Sequence, residues 1–299
     1  IRRLKFSQLK IHNIDSYYYL GRAYQLQYEF EQAIASFDKY LRTAKNENMI
    51  AQANIWRTQC QNSIPLASKI FNVRVIDKYR VTPDSLLFVY NPAKEVGAVT
   101  RNSTFFESDI DPNGILYRTE RGDAIYFSHT DNNDNEQLYK MEKLLDGWSD
   151  MTLLSGLASE SNNKMPVMMT DGSTLYFASD RPGGMGGFDI YRTTYDLDTR
   201  TFSEPVNLGV PFNSAFDDFL FVGDEFRRKA WFASNRETSA DSLMVYEILW
   251  DESVIRSFAQ NTEAIRQVAK LSTDPSLAKF RDDVTELDRK STRLNSSHT

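Results

Sequence analysis

The sequence predicts an α + β multidomain protein. It comprises an N-terminal helical hairpin unit over 1–65, an antiparallel all-β domain over 66–250 and a helical extension over 251–290. Two observations carry this reading. Up to Pro65 the apolar residues recur at helical spacing, and beyond it they alternate in and out to about residue 250. Within the alternating region one phrase returns three times: DAIYFSHTD (123–131), STLYFASDR (173–181) and KAWFASNR (229–236).

Each element has its own signal. Residues 16–27 and 31–43 read as two helices joined by a turn over 28–30, and a third runs from 47 to 62, where Pro65 is expected to end it. Aligned on their aromatic pairs, Tyr126–Phe127, Tyr176–Phe177 and Trp231–Phe232 fall 50 and 55 residues apart. After each comes a polar turn and then a strand ending in an aromatic: Tyr139, Tyr191 and Tyr246. Trp148–Ser149 and Phe202–Ser203 mark a further strand in two of the repeats. Some fifty residues holding four short antiparallel strands, repeated in tandem, fit the blade of a β-propeller, because radial repetition leaves only short protected edges. The recurring rings are then expected to pack blade against blade. Residues 70–121, with VRVI, SLLFVY and GILYRTE, are long enough for one more blade, giving three to four. DESVIRSFAQNTEAIRQVAKL (251–271) reads as a helix.

Bulk properties remove several functional classes. A formal charge of −6 with dispersed basic residues gives no footprint for nucleic acid. No apolar run approaches the length of a membrane span. Cys60 is the only cysteine, so an internal disulfide and a cysteine-based zinc site are impossible, and it reads as a small buried apolar residue. The chain opens on Ile1, directly in amphipathic pattern, which predicts missing upstream sequence, a leader or further repeats. The closing STRLNSSHT (291–299) is polar and aperiodic and is set aside as a non-native tail.

Catalytic motifs are sparse. His12, His129 and His298 lie in unrelated contexts, and neither G-x-S-x-G nor H-E-x-x-H occurs. Asp180, Asp189, Asp217 and Asp218 are the candidates for a glycosidase pair across a central pocket, although their repeat positions fit turn-bonding roles as well. Asp131, Asn133, Asn135 and Glu142 resemble half a calcium loop, but Glu136 stands where the sharp bend needs glycine. The run RPGGMGG (181–187) lacks the lysine of a phosphate loop and reads as a hairpin turn whose glycines supply positive φ. No cofactor is expected.

Two resemblances sharpen this. Tyr17, Leu20, Gly21, Tyr24, Ala33 and Phe37 stand at the spacing of a tetratricopeptide repeat, with Lys45 where the motif often has proline. In that family the inner groove is lined by helix positions that map to Asp15, Tyr18, Arg22 and Gln25, which the resemblance therefore makes candidate partner-binding residues. The phrases YFASDRPGGMGGFDIYR and NLGVPFNSAFDDFLF resemble PD40 (TolB-like, WD40-like) propeller repeats, with Asn213, Ser214, Asp217, Asp218 and Phe219 as the lead-in to the last blade. Here Tyr126, Phe127, Tyr176, Phe177, Asp180, Arg181, Tyr191, Trp231, Phe232, Asn235, Arg236 and Tyr246 are the structural repeat residues. A tetratricopeptide segment ahead of such a propeller resembles the front of the OmpA-family envelope proteins of Bacteroidetes linked to type IX secretion and gliding. The resemblance implies a non-catalytic scaffold, periplasmic or outer-membrane-associated, whose partners are other envelope proteins or peptides. No peptidoglycan-binding domain follows residue 250, so wall anchoring is not implied. A glycan-binding or glycan-cleaving propeller is the alternative.

Overall fold

The computed structural model describes residues 13–107, 110–238, 241–251 and 253–280. Expectations for His12, His298, 281–290 and the tail 291–299 lie outside them. Helix α1 (Asp15–Gln25) begins where the Asn13 side chain accepts the Asp15 N–H, and α2 (Phe30–Leu41) carries Glu31 in its first turn. The two cross closely at Gly21, where a Cβ would meet the Phe37 ring at 2.6 Å. Helix α3 (Glu47–Ala67) is capped by Asn46 accepting the Met49 N–H. It runs through Pro65 rather than ending before it. Proline stands in the last turn, and the chain closes there through the Ser68 N–H on the Pro65 carbonyl.

Beyond α3 come β1 (Lys69–Phe71), β2 (Arg74–Val81), β3 (Ala98–Arg101), β4 (Ile115–Arg118), β5 (Ala124–Thr130), β6 (Glu136–Leu144), β7 (Gly147–Trp148) and β8 (Thr152–Leu153). They are followed by β9 (Asn163–Met168), β10 (Thr174–Ser179), β11 (Asp189–Asp196), β12 (Thr201–Phe202) and β13 (Val206–Asn207). The last strands are β14 (Asp218–Asp224), β15 (Lys229–Ser234), β16 (Leu243–Leu249) and β17 (Arg256–Phe258). All of these strands pair antiparallel, in three large sheets and a two-stranded ribbon of β1 with β17. The fold is thus mixed α + β. Sheet one orders β3-β4-β5-β6 with β7 and β8 at its edge, sheet two β9-β10-β11 with β12 and β13, and sheet three β14-β15-β16-β2.

The expected further blade over 70–121 does not form. Its first strand, β2, pairs along β16, and β3 and β4 extend the sheet of β5. Between them SLLFVY, counted towards that blade, coils into a short 3-10 turn at Leu86–Val89, and Leu86, Tyr90, Ala93 and Val96 join the core shared by all three sheets. The C-terminal stretch read as one helix is divided. Arg256–Phe258 is strand β17, and α4 (Thr262–Ala269) starts only where Asn261 caps the Ala264 N–H.

The repeats are legible in atomic detail. Phe127 pairs with Tyr139, Phe177 with Tyr191 and Phe232 with Tyr246 in register, each ring pair stacked at 22°, 25° and 22°. Met165 and Leu220 both take positive φ, 55° and 52°, at a bulge in the first strand of sheets two and three. The recurring rings were expected to wedge one repeat against the next, yet most of this stacking is within each sheet. Tyr176 crosses to sheet three, 4.4 Å from Phe221, and Tyr126, Phe177, Tyr191 and Trp231 lie in the one buried cluster that the three sheets share.

Candidate functional site

The groove positions of the helical repeat are engaged by the chain itself. Tyr18 packs against Tyr40 and Trp56, with centroids 5.3 and 5.1 Å away. The Arg22 guanidinium lies between Trp56 and Phe216, donates to Gln25 Oε1 and reaches the Ala215 carbonyl at 3.1 Å. Gln25 is buried and donates to Gln59, while Asp15 is half-buried at the start of α1. Arg22 and Gln25 therefore belong to a joint between α1, α3 and the lead-in to β14, and Tyr18 to the packing of α1 on α2 and α3. Tyr18→Ala combined with Arg22→Ala is expected to cost about 2–3 kcal/mol, from the lost ring packing and cation–π contact. Scanning calorimetry of the full chain checks this, and an unchanged Tm would return these residues to the groove.

The Gly-rich turn between β10 and β11 is the seat of α3. Gln59 donates to the Gly186 carbonyl at 2.6 Å and Asn62 to the Gly184 carbonyl at 3.2 Å, and Met185 enters the helical core beside Cys60 and Ala67. Of its glycines only Gly183, at φ +95°, supplies the left-handed backbone expected of all four. The others are required by close approach. A Cβ on Gly186 would collide with the carbonyls of Phe216 and Ser214, one on Gly187 with the Asp217 carboxylate, and one on Gly184 would sit 2.9 Å from Asp189 Oδ2.

The repeat residues around this turn form matched networks in sheets two and three. Asp180 accepts from the Asn162 N–H and side chain. Asn235 and Asp217 make the same pair with carboxylate and amide exchanged. Arg181 lies 5.1 Å from the Phe177 and Tyr191 rings and donates to Asn163. Arg236 covers Phe232 and Tyr246 at 5.8 and 5.7 Å and ion-pairs with Asp218, where Asn163 has become a carboxylate. Sheet one lacks the arginine, and its stacked pair carries His129 against Tyr139 instead. Trp231 and Tyr126 line the shared core of the three sheets.

The four aspartates offered as a glycosidase pair are occupied. Asp189 accepts the Met185 and Gly186 N–H groups and the Asn207 amide, and Asp218 holds Ser214 and Arg236. Asp217 takes Phe188 N–H and Asn235, and Asp180 takes Asn162. Every oxygen of the four accepts a hydrogen bond, and Asp189 and Asp218 are fully buried. The Asp131 segment is a hairpin tip in which Asp131 Oδ1 accepts the Asn133 and Asn135 N–H groups. Among the described residues no cluster of histidine, cysteine and carboxylate side chains could hold a metal ion. Burial pushes the Cys60 thiol up to about 12, the pattern of an inert core cysteine.

One surface the repeat pattern did not point to is open. Two adjoining hollows of about 560 and 800 Å³ lie along sheets one and two and share Tyr126, Lys140, Glu142, Met168 and Gly172. Their rim carries exposed apolar side chains, Leu144, Leu153, Leu197 and Phe226, with Leu197 79% exposed. Leu197 and Phe226 sit in turns, Leu144 ends β6 and Leu153 lies in the short β8, all outside the recurring phrase, so alignment of the repeats passes over them. Their signal is only an apolar residue in an otherwise polar turn, as in DLDT (196–199). No protein-family model matches the chain, and no curated protein matches it.

Proposed function

We propose that this chain is a non-catalytic protein–protein interaction scaffold of the bacterial cell envelope, its three sheets acting as blades of a PD40-type propeller behind a tetratricopeptide unit. The blade reading is supported by the in-register ring pairs, the shared bulge and the entry of β2 into the last sheet. In this reading the chain belongs among the periplasmic or outer-membrane-associated proteins of the type IX secretion kind. One observation carries the functional half: the recurrent polar residues are spent inside the molecule, whereas the groove between sheets one and two presents apolar side chains to solvent. Apolar residues ringed by polar ones favour a protein or peptide partner.

A photo-crosslinking residue at Leu197, introduced in host cells, is expected to give a discrete adduct with another envelope protein. The same residue at Ile64, exposed on α3, serves as the control. Adduct at both positions alike, or at neither, overturns the groove assignment.

A further inference from the structure

We propose that docking of the helical unit onto the sheets is coupled to protonation of Asp189, so that the joint tightens as pH falls through neutrality. The argument starts from a count of buried charge. Asp189 and Asp218 are both fully buried, and the backbone N–H of Asp218 bonds the carbonyl of Phe188, which puts the two carboxylates in adjoining strands. One buried guanidinium, Arg236, serves this pair, and both its Nε and Nη2 go to Asp218. Asp189 receives only neutral donors: two backbone N–H groups and the Asn207 amide. An ionised Asp189 is thus a buried charge without a cation, beside a second anion.

Among the described residues the surroundings add no compensating charge. Tyr191 lies on its own strand, with Arg181 held over that ring, and Asp217 is committed to Phe188 and Asn235. Helix α3 presents the neutral Gln59 and Asn62, together with Cys60, whose thiol stays protonated. From α1, Arg22 is spent on Gln25 and Ala215. Desolvation, aided by the Asp218 charge and opposed by the three hydrogen bonds, pushes Asp189 up to about 7.

The coupling follows from what Asp189 holds. It fixes the N–H groups of Met185 and Gly186, while the carbonyls of Gly184 and Gly186 seat α3, and Met185 plugs into the helical core. Lifting α3 away admits water to the turn and returns the carboxyl towards its ordinary value of 3.8. The docked state then binds one proton more than the open state between pH 3.8 and about 7. Docking is strongest at the acid end of that window, weakens as pH rises through it, and is level above it.

The test is amide hydrogen exchange of Met185 and Gly186 in the full chain, corrected for intrinsic rates. Protection at pH 6 is expected to exceed that at pH 8 by about tenfold, and the difference should vanish in Asp189→Asn. Equal protection at the two pH values, or a pH dependence that survives the substitution, overturns the proposal. Should Asp189→Asn fail to fold, the wild-type chain decides alone through the infrared carbonyl stretch of a buried carboxylic acid. A band fading between pH 6 and pH 8 supports it, and the absence of any such band overturns it.

Discussion

Replacing Arg236 with methionine is expected to destabilise the protein by about 3–5 kcal/mol, the usual cost of removing one member of a buried ion pair. The size comes from what stays behind. Asp218 is fully buried and would keep only its two bonds from Ser214, while the carbonyls of Pro211 and Phe212, which Arg236 satisfies, would be left inside without donors. Methionine approximates the volume of the arginine stem and keeps some contact with the Phe232 and Tyr246 rings, so the loss is electrostatic rather than a cavity effect. The corresponding change in sheet two, Arg181→Met, separates the ion pair from the shared repeat geometry. Arg181 covers the matching rings, but its partner is the neutral Asn163 and it is half-exposed, so about 1 kcal/mol is expected. Urea unfolding of both variants checks the contrast, and equal losses would mean that Asp218 carries no buried charge worth compensating.

That contrast also marks how far the sequence could be read. The two arginines fall 55 positions apart in the same phrase, so their equivalence, the strands around them and the stacked tyrosines were visible as repetition. Repetition does not report on partners. That one arginine meets an amide and the other a carboxylate depends on Asn163 and Asp218, each eighteen residues earlier in a strand whose register only pairing fixes. The same limit explains the missing blade. VRVI reads correctly as a strand, but its partner β16 lies far along the chain, and local alternation carries no address. The helical groove positions meet the same limit: Arg22 and Gln25 stand where a partner-binding face would be, and the contacts they make, with Ala215, 193 residues away from Arg22, and with α3, carry no signal in the local spacing. Pro65 misled through a local rule, because a missing N–H is damaging in the middle of a helix and tolerable where the helix is about to end.

The Gly-rich turn gives the second large expectation, and it rests on separating two reasons for glycine. Gly183 has φ +95° with open space where a Cβ would stand, so Gly183→Ala pays only for the left-handed backbone, about 1–2 kcal/mol. Gly186 has no such backbone constraint, yet its Cβ would occupy the position of the Phe216 and Ser214 carbonyls. Those atoms belong to main chain pinned on both sides: Gly187 N–H donates to the Phe216 carbonyl, and Ser214 N–H donates to Asp218. No flexible side chain can yield, so the turn must move away from the lead-in to β14 and take with it the carbonyl that accepts from Gln59. Gly186→Ala is therefore expected to cost about 3 kcal/mol or more, at the upper end of overpacking, and to expose α3 before the sheets unfold. Urea unfolding gives the magnitude, and hydrogen exchange along α3 locates it. A loss no larger than that of Gly183→Ala would mean the helical unit does not depend on this contact for its seat.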